Sequence, residues 1–175
     1  MIMEPIDVLF QKTDTKHLKD NFFRVMDDEW MLITAGSTAE FNMMTASWGT
    51  MGILWNKTVA VCFIRPHRYT FQFAERSDFY TLSFFKPSDR KILNICGNKS
   101  GRDIDKIKET GLIPMITEYG NIGYKQARMV MECRIIYADY LEENHFIKPD
   151  VADRNYPSKD FHRFYIGEIV NCYVR

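Results

Sequence analysis

The densest group of chemistry-bearing side chains in this 175-residue sequence is RPHRYT, residues 65–70. It follows an apolar run, Val59 to Ile64, and brings together two guanidiniums, an imidazole, a phenol and a hydroxyl. Arg65 and Arg68 offer planar, paired N–H donors that suit a phosphate; Tyr69, Thr70 and helix N-terminal amides could complete the cradle. The commoner use of such residues is a pair of solvated arginines where a strand meets a loop, and residue types alone favour that use.

Two further stretches could contact a ligand. In NKSGRDIDK (98–106), Ser100, Gly101, Arg102 and Asp103 can form a tight turn whose amides face an anion. The same S-x-x-D spacing fits a helix capping box. In MTASWG (44–49), Thr45 and Ser47 supply hydroxyls beside Trp48 and a backbone loosened by small residues. That mixture suits the edge and face of a planar heterocycle, and suits equally a strand whose Trp packs in the core.

The remaining titratable groups exclude several chemistries. His17, His67, His145 and His162 form no His-x-x-x-His or Ser-His-Asp grouping, and no carboxylate pair stands out, so hydrolytic and zinc chemistry have nothing to build on. Cys62, Cys96, Cys133 and Cys172 are widely spaced with no Cys-x-x-Cys pair, which reads as buried thiols in a reducing cytoplasm and no metal. Lys+Arg and Asp+Glu both number 23, so the balanced charge argues against nucleic acid as a partner. Interleaved arginines and aromatics in RPHRYTFQF keep a single-strand-binding barrel as a minor alternative. No apolar run approaches the ~20 residues that cross a bilayer, and the N-terminus lacks the layout of a secretion signal, so no membrane role is expected.

The elements that must position these residues are mostly strands. Leu18, Phe22, Val25 or Met26, and Trp30 recur at helical spacing over 15–30. Strands are expected at 30–34, across 41–55 with a bulge or bend, at 58–65 after a turn at Asn56-Lys57, at 78–85, and around 113–116, 129–140 and 164–174. Pro66 removes a ladder donor and ends the 58–65 strand. Short helices are expected at 67–76, 87–97 and 103–111, the last two stopped by glycines. No βαβ alternation or linker appears, so the expectation is one domain over 1–175, mainly β, built as a closed antiparallel barrel with short helices at its rim.

In order along the chain, FNMMTASWGTMGILW, KTVAVCFIRPHRYT, FYTLSFF, CGNKSGRDIDK, Gly111-Leu112 and HRFYIGEIV resemble the flavin reductase-like, FMN-binding split-barrel family, near its flavoredoxin-type members. The resemblance spans roughly residues 40–172 in several ungapped blocks. It implies a six-stranded antiparallel Greek-key split barrel, a homodimer, and FMN near the subunit interface. Carried over by position, Thr45, Ala46, Ser47 and Trp48 border the isoalloxazine ring. Arg65, Arg68, Tyr69 and Thr70 serve the phosphate and ribityl end. Ser83, Phe84 and Phe85 line the pocket, and Ser100, Gly101, Arg102 and Asp103 form a loop that closes on the cofactor. His162 matches a histidine near the flavin or nicotinamide site and is the one catalytic candidate.

With that resemblance, the weight on Arg65 and Arg68 moves from solvation to phosphate. The implied function is an NAD(P)H-dependent flavin oxidoreductase, in which reduced nicotinamide passes hydride to flavin and electrons leave to a small-molecule or protein acceptor. The alternative is a flavoredoxin-like carrier with tightly bound FMN and a protein redox partner. No G-x-G-x-x-G is present, so a nicotinamide would bind over the flavin, not in a Rossmann site.

Overall fold

A computed structural model describes residues 3–175. Its strands are β1 (Glu4–Pro5), β2 (Gln11–Lys12), β3 (Met31–Gly36), β4 (Phe41–Ala46), β5 (Gly49–Leu54), β6 (Lys57–Ile64), β7 (Phe79–Phe84), β8 (Pro114–Ile116), β9 (Ile122–Tyr124), β10 (Met129–Tyr140) and β11 (Arg163–Val174). Five short α-helices lie between them: α1 (Phe22–Arg24), α2 (Tyr69–Ala74), α3 (Arg90–Asn98), α4 (Lys106–Thr110) and α5 (Pro149–Asn155).

The large sheet runs β4-β3-β7-β10-β11-β6-β5, with β2 added beside β11 to make eight strands. The small sheet is β1-β8-β9. This corrects the expectation of a closed antiparallel barrel, and the six strands that the resemblance implies are not what is seen: β4 and β5, the two edges of the large sheet, share no ladder. The physical reason lies in β10 and β11. Each is twelve residues long, and register shifts between Glu132 and Cys133 and between Ile135 and Tyr137 bend the pair. A strand that long serves different neighbours along its length, so β11 pairs β6 over Arg163–Glu168 and β2 at Tyr173–Val174. The edges are nevertheless tied together, because only Ser47 and Trp48 separate β4 from β5. The sheet therefore curls until its edges meet at one end, and that end carries the site.

Burial on both faces explains why the sequence shows so little alternation. Met31, Ile33, Met129 and Met131 pack with Ala60, Cys62, Tyr80 and Leu82 on one face. Leu32 and Val130 point the other way, into a second core with Met43, Phe85, Leu93, Cys96 and Tyr124. A strand covered twice reads as an apolar run, not a period of two. All four cysteines are buried and unpaired in these cores.

Several boundaries differ from the expected ones. The helical spacing over 15–30 does not yield one helix: Asn21 caps α1, a π-turn takes Val25–Glu29, and Trp30 at φ 68° ends it. The hairpin between β5 and β6 turns at Trp55 and Asn56, both at positive φ, as a two-residue primed turn requires. Helix α3 runs through Gly97 to Asn98, so that glycine is not its stop. Gly111, at φ 69°, does end α4. The short strands β1, β2 and β9 and helix α5 were not expected; two- and three-residue strands and a seven-residue helix carry too few residues to show a period.

Candidate functional site

Two adjoining cavities open where the sheet edges meet, each about 230 Å³. They share Met44 and Arg68. The first is walled by Thr45, Ala46, Ser47 and Trp48 from the β4–β5 junction, Phe63 and Arg65 from the end of β6, and His162 from the entry to β11. The second is walled by Asn42, His67, Tyr69 and Thr70, by the segment Gly97 to Ser100, and by Arg102 and Lys106.

Local sequence puts them there. Pro66 stops the β6 ladder, and Arg68 begins α2 in an extended conformation, so three residues turn the chain across the cavity mouth. The backbone of Arg68 closes that turn on Arg65 O at 3.0 Å. Asn42 ties α2 to β4: its amide oxygen accepts from Thr70 Oγ1 at 2.7 Å and from the Thr70 and Met43 amides at 3.3 Å. The 100–103 turn presses onto the same place. A Cβ on Gly101 would meet the Asn42 side chain at 2.2 Å, so only glycine allows this approach.

The first cavity has its charges matched within the chain. Arg65 donates to the Asp160 carboxylate at 2.5 Å and to Asn155 O at 2.9 Å, and its guanidinium lies 5.1 Å from the Tyr156 ring centre. This bond to Arg65 holds the Asp160 carboxyl below its ordinary range. His162 is 8% exposed, its Nδ1 lies within hydrogen-bond distance of Tyr156 Oη at 2.8 Å, and its ring centre is 5.2 Å from that of Trp48. Burial first, and Arg65 second, push its pKa down to about 4, so the imidazole is neutral at pH 7. Trp48 is 47% exposed and Phe63 half-buried, which leaves aromatic surface at the opening.

The second cavity has cations without matching anions. Arg68 donates to Gly97 O at 3.1 Å, and burial lowers its pKa from the ordinary value. Lys106 is 5% exposed; its ammonium donates to Met43 O at 2.8 Å and Cys96 O at 2.9 Å. Burial pulls the lysine down to about 8, with Arg68 repulsion adding to it. Among the described residues neither cation meets a carboxylate. Arg102 packs over the Tyr69 ring at 4.7 Å and donates to His67 O at 3.2 Å, closing the rim.

The structure thus brings together Thr45, Ala46, Ser47, Trp48, Arg65, Arg68, Tyr69, Thr70, Ser100, Arg102 and His162, with Gly101 in the supporting turn. It does not bring Ser83, Phe84 or Phe85 to either cavity. Ser83 and Phe84 lie in β7, ladder-paired on both sides by β3 and β10, and Phe85 follows in the second core. Asp103 is exposed and lines neither cavity, and the cap of α4 is Asp105, which accepts from Lys108 N at 3.1 Å, not Ser100. The Thr45 hydroxyl is committed to Leu93 O at 2.6 Å.

Sequence reasoning missed Asn42, Lys106, Tyr156 and Asp160. A polar Asn inside the apolar run FNMM was a readable signal. Lys106 gave none, since a lysine in a short polar helix is ordinarily solvated.

The fold is shared with solved proteins. Flavoredoxin from Methanosarcina acetivorans matches at TM-score 0.64 and 20% identity, over 84% of this chain and 68% of that one. An FMN-binding protein from Thermus thermophilus matches at 0.67 and 16%, over 84% and 71%. An NADH:FAD oxidoreductase from Streptomyces globisporus matches at 0.65 and 15%, over 87% and 80%. No curated protein matches by sequence. The family model described as flavin reductase like domain matches residues 23–175, a span that takes in every wall of both cavities, and the chain belongs to that family.

Proposed function

We propose that this protein binds FMN in the paired cavities and acts as a flavin-dependent oxidoreductase that takes electrons from NADH or NADPH. The observation that carries the reading is the uncompensated pair Arg68 and Lys106. A buried ammonium with only carbonyl partners is costly unless an anion joins it, and a phosphate beside a guanidinium is such an anion. The residues fit the rest of the cofactor too. Trp48 and Phe63 give apolar surface for a planar ring, and the Ser47 and His162 polar groups face its edge.

Bound FMN would supply the electron-transfer chemistry, and the protein its position and electrostatic setting. Arg68 and Lys106 would anchor the phosphate, and the neutral imidazole of His162 would offer a hydrogen bond without adding charge. The mismatch between the two cavities fixes the orientation, because a dianion is favoured only at the Lys106 end. A second reading, a carrier with tightly held FMN and a protein redox partner, is supported by the flavoredoxin among the similar structures.

A second copy of the chain is the proposed partner. Edge strand β5 exposes Ile53, and Trp55 beyond it is exposed as well. Ile53 lines an apolar hollow with Leu18, Phe22, Met51, Val59 and Met131, a surface that a dimer would cover. Light scattering at two concentrations reads this directly.

The functional test is a visible spectrum of purified protein titrated with FMN, followed by NADH or NADPH without oxygen. Stoichiometric flavin bands support the cofactor, and rapid bleaching supports the reductase. Persistent colour favours the carrier. A protein that FMN cannot reconstitute removes the reading altogether.

A further inference from the structure

The wall that carries His162 contains a second, unassigned arrangement. Tyr156 is buried beside it and its phenol has one partner, His162 Nδ1 at 2.8 Å. The phenol ring is held on several sides: Phe161 lies 4.8 Å away, Phe146 6.0 Å, and the Arg65 guanidinium 5.1 Å. Arg65 in turn clamps the segment through Asn155 O and Asp160. The imidazole has its own supports, Trp48 at 5.2 Å and Phe63 at 6.3 Å. Among the described residues no protein group meets Nε2, and His162 lines the first cavity.

The direction of the Tyr156–His162 bond follows from satisfaction. If Nδ1–H donated to the phenol oxygen, the phenol proton would be left without an acceptor, which burial makes costly. If the phenol donates, its proton and Nδ1 are both satisfied, and the ring proton must sit on Nε2. Burial first, and then the charged groups around the ring, keep it neutral. Arg65, Arg68 and His67 oppose a positive imidazole, and only Asp160, already paired to Arg65, favours one.

We propose that Tyr156 is a positioning residue that locks His162 as the neutral Nε2–H tautomer, so that the first cavity presents a fixed, uncharged hydrogen-bond donor to an acceptor on the ligand ring. The acceptor class is a ring carbonyl or imine nitrogen, and this part rests on the flavin reading above. The arrangement distinguishes a donor from a proton source: His162 binds and orients, and holds its proton throughout.

The test is long-range 1H–15N correlation of the imidazoles in the full chain, uniformly 15N-labelled, across neutral pH, with His162→Gln to assign the signals. In the free protein, Nδ1 should resonate as an unprotonated acceptor and Nε2 as a protonated donor, with no titration. Tyr156→Phe should move both nitrogens to averaged positions. An Nδ1–H tautomer, a charged ring or an unchanged Tyr156→Phe spectrum overturns the assignment. Should Tyr156→Phe fail to fold, the wild-type tautomer decides alone. FMN is then added: a downfield shift of the Nε2 proton supports the contact, whereas bound FMN that leaves it unmoved overturns the contact and spares the flavin reading. FMN that does not bind removes the flavin reading and leaves the tautomer assignment standing.

Discussion

Arg65 and Arg68 leave the same strand end, yet the structure uses them in opposite ways. Arg65 is answered inside the chain, by Asp160, Asn155 O and the face of Tyr156. Arg68 meets one carbonyl and shares its cavity with Lys106, which meets two more. The first end of the groove is electrostatically closed; the second is open and needs a charge from outside. Residue type does not tell the two guanidiniums apart. The counter-ion does.

The comparison is broken most directly at the open end. Arg68→Ala and Lys106→Met should each weaken FMN binding by about 10- to 100-fold, the worth of one charge-assisted hydrogen bond. Arg24→Ala, at an exposed site paired only with Asp28, should leave affinity unchanged. Fluorescence titration of the three variants measures this. Equal affinities in all of them would remove the phosphate assignment. Lys106→Met should also raise the melting temperature of the flavin-free protein, because it removes a buried charge that two carbonyls solvate but no carboxylate balances.

At the closed end the same kind of change should act on the fold. Arg65→Ala strands a partly buried Asp160 carboxylate and frees the segment that carries Tyr156 and His162. The expected result is a lowered urea midpoint, with FMN affinity much less affected than in Arg68→Ala. Urea unfolding beside a flavin titration separates the outcomes. An Arg65→Ala variant that is stable but blind to FMN would reverse the roles assigned to the two arginines.

Acid–base linkage sharpens the difference further. Free Lys106 titrates near 8, and a bound phosphate dianion favours its charged form. Binding at pH 8 and above must therefore take up a proton. FMN affinity should fall by up to about tenfold per pH unit above 8, and the fall should vanish in Lys106→Met.

How much of this the sequence disclosed depends on whether the controlling physics is local. The end of β6 was legible, because Pro66 sets it by itself and places Arg65 and Arg68 beyond it. A bulge or bend within 41–55 was legible from Gly49 and Gly52, but the sequence did not show that the chain breaks at Ser47-Trp48 or that these two residues join the edges of an open sheet. Ser83, Phe84 and Phe85 matched the family pattern, but β7 is central and both its faces are used for packing. The pairing of Asp160 with Arg65 joins residues 95 apart in the chain, and the burial of Lys106 depends on β4 and α3 folding over it. Such contacts leave no periodic trace. The spacing over 15–30 misled for the converse reason: Leu18, Phe22, Val25 and Met26 are drawn to one core without a continuous helix between them.

The pH dependence of stability without flavin tests both ends in one experiment. His162 has its folded pKa pushed from 6.5 down to about 4. Between those values the unfolded chain binds the extra proton, so stability is full above pH 6.5 and declines on acidification towards 4. Lys106 is pushed from 10.5 down to about 8, so the unfolded chain again binds more protons between these values and stability rises with pH across that window. Each limb has at most one proton of slope. His162→Gln should flatten the acid limb alone, and Lys106→Met the alkaline limb alone. FMN should suppress the alkaline rise, because the phosphate restores the ammonium's charge partner. If the alkaline limb persists unchanged with FMN bound, the phosphate does not reach Lys106, and the contrast between an open and a closed end loses its ligand.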